Sequence, residues 1–301
     1  MPSAGASSRP RSFTAGTRQT PLRLRSYRRS VTDSAARIAA FRSLHEGPDL
    51  FVMPNPWDAG SARVLASLGF SALATTSSGF AATLARLDGH VTRAEALDNA
   101  AAIVGATDLP VSADLEHGYA DDPAGVAETV RLAAETGLAG CSIEDSTGRA
   151  DDPIYAFDHA VDRVRAAVEA AGSGDTRIVI TARSEGYLRG RPDLAEAIAR
   201  LQAFQEAGAD VLFAPGMRDL QEIRTLVAAV DRPVNVIGSP GGPTVAELAE
   251  AGVRRVSVGG GLAWAAMGAL VEAATGLREH GTYSWGDLGA NGRAAAVAAF
   301  S

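Results

Sequence analysis

The sequence predicts an α/β fold, a (β/α)8 TIM barrel followed by one extra C-terminal helix. Three observations carry this. Eight short apolar runs alternate with stretches of helical period over about 230 residues, the count such a barrel needs. Several helical stretches end at a glycine (Gly69, Gly137, Gly208, Gly252), the residue favoured just past a helix C-terminus. The turn after the first apolar run reads Pro54-Asn55-Pro56-Trp57, which is not the glycine-rich turn of a doubly wound sheet.

The elements follow in order. A helix over 34–45 leads in. Strands are expected at 50–53, 72–76, 111–114, 140–143, 177–181, 210–213, 234–237 and 255–258. Helices are expected between them at 61–68, 93–104, 124–135, 158–170, 194–207, 220–228 and 245–251. A helix over 262–277, a linker over 280–287 and an Ala-rich helix over 292–300 close the chain. That last helix, held off by its linker, is expected to pack on a neighbouring subunit. The domain division is therefore a tail over 1–33, a barrel over 34–279, and a linker with the final helix over 280–301. The tail holds seven Arg against one acid and lacks apolar periodicity, so it reads as disordered.

Composition narrows the chemistry. With 301 residues and 46% hydrophobic content the chain can bury a large core. No apolar run approaches the roughly 20 residues that span a bilayer, so no membrane association is expected. The single cysteine, Cys141, lies in an apolar run, reads as core, and fits a reducing cytoplasm. All 28 basic residues are Arg, which removes a Schiff-base lysine from the available mechanisms. Beyond residue 33 stand 21 Arg against 34 acids, an acidic body that argues against nucleic-acid binding.

The stretch with the most chemistry is Val111-Ser112-Ala113-Asp114-Leu115-Glu116-His117-Gly118-Tyr119. If the strand runs on, Asp114 and Glu116 share a face, and two hard carboxylates at a strand end suit Mg²⁺ or Mn²⁺. In a barrel the strand C-terminal ends form the active face. That face would also gather Thr75-Thr76-Ser77-Ser78-Gly79, Asp88, Glu144, Asp145, Arg183, Glu185 and Asn235. So many acids would repel one another without a cation between them, and a divalent metal is the simplest resolution. Humbler roles are expected for some: Asp145 as a helix cap, Glu185 as a partner of Arg183, His90 and His159 exposed. His117 is a weaker acid/base candidate beside the acids.

From Phe51 to Met267 the chain resembles the isocitrate lyase/phosphoenolpyruvate mutase superfamily. The resemblance rests on Pro54-Asn55-Pro56-Trp57-Asp58, Ala74-Thr75-Thr76-Ser77-Ser78-Gly79 with Asp88-Gly89, Ser112-Ala113-Asp114-Leu115-Glu116-His117-Gly118-Tyr119, Ile143-Glu144-Asp145-Ser146, Thr181-Ala182-Arg183-Ser184-Glu185-Gly186-Tyr187 and Gly252-Val253-Arg254-Arg255-Val256-Ser257-Val258-Gly259. It implies a final helix swapped between subunits of a homodimer or homotetramer, one Mg²⁺, and a small 2-oxo acid or phosphonate as substrate. It implies Asp114 as metal ligand, with Asp88, Glu116 and Glu144 binding directly or through water. Thr75, Thr76, Ser77 and Arg183 would hold the substrate carboxylate, with Trp57 and Asn235 as neighbours; Arg183, Glu116 and Asp88 would serve the chemistry. The chain also departs from the family. Where family lyases carry a Cys and Lys loop after the fourth strand, it reads Thr147-Gly148-Arg149-Ala150-Asp151-Asp152-Pro153, and after the sixth strand Ala214-Pro215-Gly216 replaces a Glu. Cleavage that depends on that Cys is not expected. The expected activity is C–C cleavage or decarboxylation of an oxaloacetate-like 2-oxo acid through a pyruvate enolate. The alternatives are P–C chemistry on phosphonopyruvate, a larger substrate with Asp151 or Asp152 as acid, and a catalytically silent dicarboxylate-binding barrel.

Overall fold

The structure, a computed structural model, describes residues 31–301. The expected tail lies outside the described residues except for its last three, which form the first turn of the lead-in helix α1 (Val31–Glu46). Eight parallel strands follow: β1 (Phe51–Met53), β2 (Leu73–Ala74), β3 (Val111–Asp114), β4 (Gly140–Glu144), β5 (Val179–Arg183), β6 (Val211–Phe213), β7 (Val234–Ile237) and β8 (Arg255–Ser257). They pair in the order β1-β8-β7-β6-β5-β4-β3-β2. The seam between β1 and β2 is crossed by the Ala74 N–H donating to the Pro54 carbonyl at 3.1 Å and by Asn55 Nδ2 donating to the Thr75 carbonyl at 2.8 Å. The sheet is a nearly closed (β/α)8 barrel, as expected.

The helices are α2 (Ala59–Ser67), α3 (Ser77–Thr83), α4 (Arg93–Ala106), α5 (Pro123–Glu135), α6 (Phe157–Ala170), α7 (Leu194–Glu206), α8 (Leu220–Ala229), α9 (Val245–Glu250), α10 (Gly261–His280) and α11 (Gly286–Phe300). All but α6, α10 and α11 begin where a side chain takes up a free N–H. Asp58, Thr92 and Thr244 form capping boxes, and Asp122, Asp193 and Asp219 cap α5, α7 and α8. Gly69, Gly137, Gly208 and Gly252 all adopt positive φ, the left-handed stop their positions predict.

Three elements differ from expectation, among them α11, which begins at Gly286, inside the expected linker and six residues before the expected helix start. α3 is a seven-residue helix where only a hydroxyl-rich loop was read. β5 begins at Val179 because residues 174–176 form a 3-10 turn and the Arg177 side chain turns to pair with Asp210 at 2.7 Å.

Strand alternation separates two environments. Outward residues such as Val111, Ala113, Cys141, Ile180, Leu212, Val236 and Val256 are buried in two apolar clusters beneath the helices. Cys141 is core, as read. α1 seals the N-terminal end of the barrel: Phe41 is fully buried, 6.4 Å from the Phe51 ring, and a Cβ on Gly140 would lie 2.9 Å from it. At the other extreme α10 buries no residue and exposes Trp264, Met267, Leu270 and Val271. α11 folds back onto α2, where Arg63 stands 5.6 Å over the Phe300 ring. No helix among the described residues is long and apolar enough to cross a membrane.

Because α1 lies against the strand ends rather than beside them, Phe41→Ala should cost about 3–5 kcal/mol in denaturant unfolding. A loss below about 1 kcal/mol would mean that α1 is not part of the cooperative barrel, since even a single buried methylene is worth about 0.8 kcal/mol.

Candidate active site

A cavity of about 150 Å³ opens at the C-terminal ends of the strands. Its lining includes Thr75, Thr76, Ser77, Asp88, Asp114, Arg183 and Asn235 from the sequence reading, together with Arg255, Leu188 and Phe213, which that reading did not single out.

Register builds its centre. In the β4–β5 pairing Glu144 faces Arg183, and Asp114 at the end of β3 is close enough to share the same guanidinium. Arg183 Nη1 donates to Asp114 Oδ1 at 2.8 Å, Nη2 lies 3.0 Å from Glu144 Oε2, and Nε donates to Glu185 Oε1 at 2.9 Å. The guanidinium also lies 5.4 Å over the Phe213 ring. Burial acts to lower the Arg183 pKa, but Glu185, Glu144 and Asp114 outweigh it and hold the group firmly protonated. Glu185 is therefore a partner of Arg183, as read.

This revises the electrostatic expectation. Arg183 itself is the counter-ion of three acids, and Glu144 is further engaged by Arg189 at 3.5 Å. Even so, burial and the Glu185 charge raise Glu144 well above the usual carboxylate range, and a second crowded group stands around Asp114. Glu116 is raised to about 7 by burial and by the Asp114 and Asp88 charges. Asp88 is an exposed residue whose carboxyl end lines the cavity; burial there and the Asp114 charge raise it too.

Glu116 reaches this group by a route the sequence did not indicate. β3 stops at Asp114, and Glu116 sits at φ +49 in the left-handed region, so a turn and not the strand pleat brings the two carboxylates together. The turn is braced from behind. Arg163 donates to the Ala120 and Asp121 carbonyls at 2.6 Å and to that of His117, while Thr129 Oγ1 donates to the Gly118 carbonyl at 2.6 Å. His117 is half-buried, and burial lowers its pKa, with Arg163 adding to the effect.

The strand-2 end contributes backbone and hydroxyl groups. Ser77 N–H donates to Asp114 Oδ2 at 3.3 Å, and Asp114 N–H donates to Thr75 Oγ1 at 2.9 Å. Thr76 caps α3 through the Gly79 N–H. Asn235 donates to Ser257 Oγ at 3.0 Å and accepts from Arg255 Nε at 2.9 Å. Trp57 does not line the cavity; it lies in a neighbouring apolar groove with Gly79, Ala263 and Met267. Asp145 is no helix cap: it is buried, accepts from the Glu185 N–H at 2.7 Å and meets Arg200 at 3.3 Å. His90 is exposed, and His159 lies at the surface with Nε2 2.9 Å from the Asp121 carbonyl. The 147–153 loop forms a small hairpin pinned by a Ser146–Ile154 bridge, with Asp151 and Asp152 exposed at its tip.

Among the described residues no three His, Cys, Asp or Glu are already gathered as a chelating set. The chemistry of Asp88, Asp114 and Glu116 nevertheless fits a hard divalent cation, which would relieve the repulsion that raises Glu116 and Asp88. Mg²⁺ keeps several waters and needs only one or two carboxylates directly.

A parallel-stranded barrel with acids and an Arg at its C-terminal mouth is the layout of a barrel enzyme. The comparisons give the family. The phosphoenolpyruvate phosphomutase family model matches residues 41–278. An oxaloacetate decarboxylase of Chromohalobacter salexigens is 31% identical over 260 residues, covering 83% of this chain and 88% of that protein. A solved structure of a candidate lyase/mutase of Burkholderia cenocepacia J2315 superposes with TM-score 0.82 at 53% identity, covering 84% of this chain and 92% of that one. A 2,3-dimethylmalate lyase, described as a member of the superfamily, superposes at 0.74 with 32% identity, covering 85% and 90%. The chain belongs to the phosphoenolpyruvate mutase/isocitrate lyase superfamily, and it is an enzyme of the carbon–carbon lyase type.

The raised Glu116 pKa has a consequence for stability. On folding it moves from 4.5 to about 7, so between those values the folded state holds a proton the unfolded state has lost. That contribution is complete below 4.5 and is lost as pH rises through 7. Glu116→Gln should therefore flatten the fall in metal-free thermal midpoint across this window and leave the variant the more stable protein above it. An unchanged slope in a pH series would show that Glu116 ionises normally.

Proposed function

We propose that this enzyme cleaves the bond at carbon 3 of a 2-oxo acid, with an oxaloacetate-like substrate losing CO₂. The observation that carries the reading is the joint placement of Arg183, the Ser77 N–H and the Asp88 and Asp114 carboxylates around one cavity mouth, with Glu116 behind the lining and close enough for the Asp114 and Asp88 charges to act on it. Relatedness to an oxaloacetate decarboxylase supports it. Mg²⁺ or Mn²⁺, held by Asp114 with Asp88 and Glu116 around it, would supply Lewis acidity to polarise the keto group.

The protein's own groups do the rest. Arg183 and the Ser77 N–H hold the carboxylate next to the keto carbon, at the cost of loosening their contacts with Asp114. Phe213 and Leu188 line the cavity and narrow the access of water to the reacting bond. The C3–C4 bond breaks, its electron pair passes into the enolate, and CO₂ leaves. Solvent then delivers a proton to C3, so no Cys on the 147–153 loop is needed. Arg183 also keeps Glu144 and Glu185 anchored, so the wall does not collapse inward when the substrate enters. The exposed apolar side chains of α10 support assembly as a homodimer or homotetramer, with a second copy covering that helix.

Pyruvate release from a panel of 2-oxo acids, phosphonopyruvate among them, tests the reading. Turnover of oxaloacetate is expected with Mg²⁺, with loss on adding chelator and in Asp114→Ala. Release from phosphonopyruvate alone would transfer the assignment to P–C chemistry. Arg183→Lys replaces a fork serving three carboxylates with a point charge, so kcat/KM should fall by about 100-fold or more, as loss of a buried charged pair costs about 3–5 kcal/mol. Unchanged kinetics would make Arg183 a purely structural group.

A further inference from the structure

Barrel interiors are ordinarily filled by layers of Val, Ile and Leu. Here the inward positions two residues before the site groups are polar: Ser112 before Asp114, Ser142 before Glu144, Thr181 before Arg183, and Arg255 before Ser257. Arg255 is the unusual one. It is 3% exposed, and that small surface lines the cavity.

Its contacts are all with neutral groups. Nε donates to Asn235 Oδ1 at 2.9 Å, Nη2 to Thr181 Oγ1 at 3.1 Å, and Nη1 meets His45 Nε2 at 3.1 Å. His45 Nδ1 faces the Phe41 carbonyl at 2.8 Å, a contact only an N–H can make, so Nε2 is the acceptor toward Arg255. Burial, with Arg255 adding to it, depresses the His45 pKa to about 3 and keeps the ring neutral. Burial alone lowers Arg255 to about 9, with no carboxylate acting on it. Arg183 is the opposite case, with three carboxylates around it. A buried cation without a counter-ion is costly, and one that faces a ligand cavity has its natural partner in the ligand.

We propose that Arg255 makes the floor of the cavity an anion site, separate from the Arg183 cluster at the mouth, which takes one carboxylate of a small dicarboxylic acid. It rests on the reading that the cavity receives a small organic acid. The cavity volume of about 150 Å³, similar to that of an engineered cavity of about 150 Å³ that takes benzene, suits a diacid of a few carbons. Ser257 Oγ already accepts from Asn235, so its own proton is free to donate to the bound carboxylate. Asn235 is then a positioning residue that orients Arg255.

The test needs no turnover. Malonate and acetate are titrated calorimetrically into the full chain in the presence of chelator. Wild type is expected to bind malonate about tenfold or more tightly than acetate, and Arg255→Met to lose that advantage. Asn235→Asp covers the case in which Arg255→Met does not fold, because it is nearly isosteric and places a counter-ion beside Arg255. It should raise the thermal midpoint while weakening malonate binding about tenfold or more. Absence of metal-free malonate binding in wild type, or wild-type affinity in Asn235→Asp, overturns the proposal. Malonate binding lost in both variants, in a protein that turns over no 2-oxo acid, would sink the lyase reading and leave the anion site standing.

Discussion

One guanidinium shared by three carboxylates organises the mouth of this barrel. Arg183 stands opposite Glu144 in the strand register, reaches across to Asp114 on β3, and bends back to Glu185 two residues further on. Each contact sets another group. The Asp114 carboxylate, held at one oxygen by Arg183, presents the other to the Ser77 N–H and so ties the start of α3 to β3. Glu185, held by its side chain, gives its backbone N–H to Asp145, which in turn meets Arg200. Tyr155, whose N–H donates to the Asp145 carbonyl, closes the base of the 146–154 hairpin. Without the central cation, buried like charges would face one another at low dielectric, and the wall could not keep this form.

Much of the barrel was legible because its strands are short apolar runs bounded by glycines and helix caps. β3 and β7 fall where expected, and four helix stops are marked by glycines at positive φ. The misreadings have local causes. Ser77–Thr83 is rich in small hydroxylated and glycine residues with no apolar stripe, and it becomes helical because Thr76 caps it and the barrel wall supports it. Arg177 looked like a strand opening, yet its partner Asp210 draws it into the preceding turn.

The site was legible in its residues more than in its electrostatics. Asp114, Arg183, Thr75 and Asn235 do line the cavity, because strand ends must point there. The sequence could not reveal that Arg183 would pair with three acids at once, since that depends on the mutual register of β3, β4 and β5. Nor could it place Glu116, whose left-handed turn interrupts the alternation. Arg255 did carry a signal that went unread: it stands two residues before Ser257, on the same inward face of β8. Trp57 left the cavity because it stands just before Asp58, the N-cap of α2, which turns the ring toward α3 and α10.

The polar bore and the apolar outer layer lie on opposite faces of the same strands. A substitution at Ser112 or Ser142 changes what the cavity recognises, while the neighbours Ala113 and Cys141 keep their packing beneath the helices. Period-two alternation thus makes recognition and stability nearly independent variables along one strand. A lineage of such barrels can explore new acids by single inward replacements without passing through unfolded intermediates. The exception is any inward residue that has become a partner of Arg183, where a single change leaves a charge stranded and two must arrive together.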